Sequence, residues 1–119
     1  MARTPVFIIC SPRPLVGKTL IARLLSEFLL LKKHFDVFTN PNADRLIELL
    51  DPQEIVLFGV ATDVCNDAAI RGLRARGRAV TFVEDASRGL DEGRTAACLA
   101  AWRDGGVRFT TTAEVLDAL

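Results

Sequence analysis

The run Glu54 to Cys65, EIVLFGVATDVC, constrains this chain more than any other stretch. Its apolar segment, Ile55 to Val60, reads as a strand, and Ala61-Thr62-Asp63 ends it. The residues that follow, NDAAIRGLRARG, read as a helix with Ala69, Ile70 and Leu73 on one face and arginines on the other. Thr62 is placed to cap that helix, which puts Cys65 in its first turn. There, unpaired backbone N–H groups and the positive end of the helix dipole favour a thiolate, the reactive form of cysteine. Two readings of Cys65 follow. It is either a small buried apolar residue at a helix start or a nucleophile presented at a sheet edge by a strand–turn–helix unit.

Composition narrows the setting. With 119 residues, half of them apolar and a quarter charged, the chain is expected to form one domain, 1–119, around a single core. A formal net charge of zero gives no electrostatic reason to expect nucleic acid or an anionic membrane as partner. No apolar run approaches the ~18 residues of a membrane span, and the amino terminus lacks a signal-peptide pattern. Three cysteines without close spacing argue against a disulfide framework and for a reducing, cytoplasmic setting. The single histidine, His34, is read as a surface or loop residue, which leaves a histidine metal site or a Ser-His-Asp triad poorly supported.

The amino-terminal third opens with a short strand, Val6 to Cys10, followed by SPRPLVGKTLIARLLSEFLLLKK. Gly17-Lys18-Thr19 running straight into an apolar helix is the second half of a Walker A loop. It resembles the amino terminus of P-loop ATPases of the partitioning and septum-positioning type. In such a loop Gly17 and its neighbours would wrap a phosphate with backbone N–H groups, Lys18 would reach its charge and Thr19 would hold Mg²⁺. The pattern departs at Pro12, where a glycine belongs, and at Pro14, which removes a second N–H. Two readings stand: a loop for phosphate, sulfate or Mg-nucleotide, or a strand–turn–helix building block with no cofactor. The helix from about Lys18 to Lys32 buries Leu20, Ile21, Leu24, Leu25, Phe28 and Leu31. Leu29 and Leu30 fall partly outside that stripe, as extra core width or as the surface of a homodimer.

Phe35 to Thr39 alternates Phe35, Val37 and Thr39, and two readings stand for it, a strand or a loop. Asn40-Pro41 starts a helix with Leu46, Ile47, Leu49 and Leu50 as its apolar face, and Asp51-Pro52 ends it. After the central unit, Gly77 closes the arginine-rich helix. AVTFVED is the next strand, and SRGLDEGRT is the loop leading to a helix over about Glu92 to Asp104. That helix carries Cys98, Leu99 and Trp102 inward. VRFTT is a short last strand, and Thr111 with Glu114 forms a capping box for a terminal helix. Arg71, Arg74, Arg76 and Arg78 are read as a solvated face. The alternation implies an α/β, three-layer αβα fold with a mostly parallel sheet of 4–5 strands, flavodoxin-like or Rossmann-like. The strand order is 2-1-3-4-5 if Phe35 to Thr39 is a strand; otherwise the sheet has four. Either way the first strand lies beside Ile55 to Val60, so Gly17-Lys18-Thr19 and Cys65 face one crevice.

The stretch GVATDVCNDAAIRGLRARGRAVTFVEDASRGLDEGRT resembles the carboxyl-terminal half of the isochorismatase/nicotinamidase-type cysteine hydrolases, over about residues 35–119. The resemblance implies that Cys65 attacks an amide, ester or vinyl-ether carbon. It also implies a cis peptide at Val60–Ala61 that shapes an oxyanion site at Ala61 and Cys65. Lys32, three residues before Phe35 in KKHFDVF, would be the lysine of the triad, with Lys33 as its substitute. The third member, an aspartate ending the first strand, has no counterpart: VFIICSPRP puts Cys10 or Ser11 there. The middle of the family fold is missing too, with about twenty residues between Ser11 and Lys32. The expectation is a chimera by deliberate recombination, with a P-loop-like segment 1–31 joined near Leu31–His34 to a hydrolase-like segment 32–119. Both donor sites being incomplete, the expected function is a folded scaffold without efficient catalysis. A residual cysteine hydrolase at Cys65 (with Lys32 or Lys18) and a weak phosphate binder at Gly17-Lys18-Thr19 are the alternatives.

Overall fold

A computed structural model describes residues 34–118 and the backbone of a first strand, β1 (Val6–Cys10). The phosphate-loop candidates Gly17, Lys18 and Thr19, the residues Leu29 and Leu30 expected on a helix, and the triad candidates Lys32 and Lys33 lie outside the described residues. The described elements are, in chain order, β1, a short 3₁₀ turn (Val37–Thr39), α1 (Pro41–Leu50), β2 (Ile55–Val60), a π-helical turn (Thr62–Asn66) and α2 (Asp67–Ala75). β3 (Val80–Arg88), α3 (Glu92–Asp104), β4 (Arg108–Thr110) and α4 (Thr112–Ala118) complete them.

The architecture is a three-layer α/β fold around a parallel sheet of order β1-β2-β3-β4. β1 lies beside β2, as expected, with Val6 opposite Ile55 and Cys10 opposite Gly59. The side chains of β2 and β3 divide by parity. Ile55, Leu57, Val80 and Phe82 point to one face and pack with Ile70 and Leu73 of α2, Trp102 of α3 and Ile47 of α1. Val56, Thr81 and Val83 point to the other face and are buried as well. Both faces of the central strands being covered explains why Ile55 to Val60 carries an unbroken apolar run rather than an alternating one.

Phe35 to Thr39 does not form a strand, so among the described residues the sheet has four, the number expected in that case. Asp36 decides this locally. Its carboxylate accepts the N–H of Phe38 at 2.9 Å and its backbone C=O accepts the N–H of Thr39, closing a 3₁₀ turn where a ladder would need those groups free. The Phe38 ring then lies against α2, where the Arg76 guanidinium sits 3.8 Å above its centroid. Gly72 makes this approach feasible: a Cβ there would meet two Phe38 ring carbons at 2.3 and 2.6 Å. Gly72→Ala gains about 1 kcal/mol of helix propensity but must evict the ring at about 1–3 kcal/mol. The cation–π contact is lost as well. A net destabilisation of about 1–2 kcal/mol is expected in urea unfolding, and Phe38→Ala should abolish the penalty of a second substitution at Gly72.

The helices begin and end largely where their caps are written. Asn40 accepts the N–H of Asn42 with Pro41 at the first helical position, and Asp51 closes α1 in the left-handed region at φ 40°. The apolar face of α1 is narrower than its sequence suggests, since Ala43 and Ile47 are buried while Leu49 is 80% exposed. Gly77, at φ 72°, ends α2 as expected. At α4 only half of the capping box forms. Thr111 accepts the Glu114 N–H, but the Glu114 carboxylate takes the Thr110 hydroxyl, and the first N–H of the helix goes to Asp85. Among the described residues no helix is long and apolar enough to cross a membrane.

Candidate functional site

The site is assembled where β2 runs out. Beyond Val60 the chain passes through a cis peptide to Ala61, as the family resemblance implies, and enters the π-helical turn. Thr62 is not the N-cap. Ala61 holds that position without a side-chain cap, and its C=O accepts the N–H groups of both Val64 and Asn66. The N–H of Asp67, shared with the C=O of Val64, reaches the C=O of Thr62 five residues back, which widens the first turn before α2 continues as an ordinary α-helix. In that wide turn Cys65, Asn66 and Asp67 are all buried in succession, with Cys65 2% exposed. Cys65 thus lies in the opening turn of a helical segment at the carboxyl edge of the sheet, the neighbourhood expected from sequence.

Side chains replace a broken ladder around this turn. Leu57 pairs with Phe82, yet two residues later Gly59 pairs with Ser87, so β3 bulges over Val83 to Ala86. The Ser87 hydroxyl spans the defect: it accepts the Gly59 N–H at 3.1 Å and donates to the Val83 C=O at 2.9 Å. On the other side, the Asn66 amide donates to the Gly59 C=O at 3.0 Å. Gly59 itself sits at φ 125°, a conformation for which glycine is suited. β3 therefore extends through Arg88, where a loop beginning at Ser87 is the reading from sequence.

Two carboxylates fix the surroundings. Asp63 accepts the N–H of Leu90 at 2.9 Å and of Asp91 at 3.1 Å, with Arg94 at 3.3 Å, so the loop between β3 and α3 hangs from the Cys65 turn. These bonds, the Leu90 N–H foremost, hold the Asp63 carboxyl below its ordinary range. Asp67 accepts the Trp102 indole N–H at 3.1 Å and the Arg71 guanidinium, joining α2 to α3. The Cys98 thiol is half-buried against the same cluster. Burial, with the Asp67 charge next in weight, pushes its pKa up, as suits a packing residue.

The arginines read as one solvated face are mostly tied down locally. Arg71 pairs with Asp67, Arg76 with Asp44 and Arg78 with Asp51, while Arg74 donates to the Gly105 C=O. The β1 terminus supplies Cys10 opposite Gly59 at the position where the resemblance calls for an aspartate. Sequence reasoning missed Asp63, Asn66 and Ser87 as the groups that hold the turn. Of these only Asp63, the first acid after the strand, left a visible mark in the motif.

The family model for the Isochorismatase domain matches residues 14–114. That match runs unbroken through Leu31–His34 and takes in Gly17, Lys18 and Thr19, so nothing in it supports a junction or a separate P-loop segment. No curated protein matches the chain. Among solved structures, an isochorismatase-like hydrolase from Alkaliphilus metalliredigens is 20% identical at a TM-score of 0.67, covering 77% of this chain and 50% of that one. YcaC from Pseudomonas aeruginosa, with hexane-2,5-diol and covalent acrylamide, is 19% identical at 0.70, covering 82% and 48%. The nicotinamidase SaPncA from Staphylococcus aureus is 16% identical at 0.74, covering 92% and 76%. The chain spans about half the length of the first two relatives, and at these identities the likeness is one of fold. The family match covers most of the sequence, and on it the chain belongs to the isochorismatase family.

Proposed function

We propose that the chain is a cysteine hydrolase acting on an amide or ester carbonyl through Cys65. The observation that carries the reading is the placement of Cys65 in the opening helical turn directly past the carboxyl end of a central strand. The N-terminal half-charge of the helix would stabilise negative charge developing beside it during the reaction. The family match supports the reaction class.

The thiolate attacks the carbonyl carbon and a C–S bond forms. The C–N or C–O bond then breaks, and the departing amine or alcohol takes up a proton. Water hydrolyses the thioester and returns the thiol. The N–H groups of Ala61 and Cys65 are the candidate donors to the oxyanion, and Lys32 is the candidate cation for the thiolate. With Cys10 or Ser11 in place of a first-strand aspartate, general-base help is missing, a loss of about 10²–10⁴ in rate. Slow ester turnover is therefore expected before amide turnover. An inert scaffold is the outcome if that loss is complete.

The test follows iodoacetamide alkylation of Cys65 across pH, alongside ester hydrolysis by the protein and its Cys65→Ala variant. The expected result is alkylation of Cys65 at neutral pH at least tenfold faster than that of free cysteine, with hydrolysis lost in the variant. Alkylation no faster than that of free cysteine together with equal hydrolysis by both proteins refutes the proposal.

A further inference from the structure

Asn66 is a costly residue to bury. It is 0% exposed, and among the described residues its Oδ1 has no hydrogen-bond partner. A buried oxygen left unpaired forfeits about 1–3 kcal/mol, and an apolar side chain of the same size would avoid that loss. What an apolar side chain could not supply is the 3.0 Å bond from Nδ2 to the Gly59 C=O. Gly59 is the last point at which β2 meets both neighbours, Cys10 on one side and Ser87 on the other. Its N–H is held by Ser87 and its C=O by Asn66, so both polar groups of one peptide-forming residue are clamped by side chains. The chain then has only Val60 to Val64 in which to turn before Cys65, and the Ala61 C=O in that interval holds the Val64 and Asn66 N–H groups.

We propose that Asn66 is a positioning residue for Cys65. Its amide, with Ser87 as the opposing clamp, ties the π-helical turn to the end of β2 and sets where the Sγ stands relative to the backbone N–H groups around it. The inference rests on the hydrolase reading for its purpose, but its test does not depend on that reading. The clamp spends a buried oxygen on geometry rather than on stability. Stability and thiol behaviour should therefore separate when it is removed.

Asn66→Leu leaves the Gly59 C=O without its side-chain donor but also removes the unpaired oxygen, and the two effects offset each other, so global stability changes little. The readouts are alkylation of the Cys65 peptide by iodoacetamide across pH, followed by mass spectrometry, and amide hydrogen exchange. The expected result is an alkylation rate at least tenfold lower at neutral pH, with exchange at Val64 at least tenfold faster and that of Val56 and Leu57 unchanged. Ser87→Ala, which leaves Asn66 in place, should move both readouts the same way by a smaller factor, and it decides the matter if Asn66→Leu does not fold. Faster exchange with an unaltered alkylation profile would show a merely structural bond and overturn the proposal, as would no change in either. A wild-type Cys65 that alkylates like a free thiol counts against the hydrolase reading alone, because the variant-to-wild-type ratio still tests the clamp.

Discussion

Trp102→Ala is expected to lower the free energy of unfolding by about 3–5 kcal/mol, the range for deleting a large buried aromatic. The indole is 2% exposed and meets the Phe82 ring edge-on at 5.0 Å and 69°, and Phe82 in turn meets Phe109 at 5.6 Å. Truncation opens a cavity between α3 and the sheet and strips Asp67 of its indole donor. Trp102→Phe separates the two effects. It keeps most of the volume and loses the N–H, so it should cost only about 1–2 kcal/mol. Domains of this size hold about 5–15 kcal/mol in all, so the alanine variant forfeits roughly a fifth of the total or more. Chemical denaturation of the three proteins measures both steps. An alanine variant within 1 kcal/mol of the parent would mean that packing against Phe82 does not secure α3.

The contrast between α3 and the Phe35 to Thr39 segment shows what the sequence could convey. The bounds Glu92–Asp104 were readable because both stops are local: Asp91 accepts the Arg94 N–H at one end, and Gly105-Gly106 ends the other. The alternation of Phe35, Val37 and Thr39 looked equally regular, but Asp36 captured the neighbouring N–H groups and Gly72, far along the chain, offered a seat for Phe38. Alternation records which residues are apolar and not where their backbone bonds go. The same limit hid the π-helical turn, which is distinguished by the carbonyls that the Asn66 and Asp67 N–H groups reach, five residues back. Cys65 was legible because a helix start after a strand is a local arrangement. Asn66 and Ser87 were not, since their shared partner, Gly59, has meaning only once β3 bulges against β2. In the candidate site, then, the reactive atom was visible in the sequence and its supports were not.

Asp63→Ala should show how far one of those supports reaches. Its carboxylate is enclosed, with a side-chain exposure of 0%, and it holds two backbone N–H groups 27 and 28 residues away. The Arg94 contact adds little, because that side chain is 66% exposed and screened by water. Two charge-assisted bonds to backbone N–H groups, with partial rescue of those groups by water, give an expected loss of about 2–3 kcal/mol at neutral pH. The pH dependence follows from the direction of the shift. Folding holds the Asp63 carboxyl below the ~3.9 of an unfolded chain, so the unfolded state binds the proton more readily. The contribution is whole above about pH 4 and fades as pH falls through the depressed folded value. The gap between parent and Asp63→Ala should accordingly be constant from neutrality to about pH 5 and shrink in acid. Asp63→Asn, which keeps one acceptor and the shape, should fall between the two and lose the acid dependence. Hydrogen exchange at Leu90 and Asp91 should quicken in both variants while α2 remains protected, because Asp67 and Trp102 join α2 to α3 independently of that loop. A parent–variant gap that widens in acid would show that the Asp63 carboxylate is not what carries the loop, and that the β3–α3 connection is held by its own packing instead.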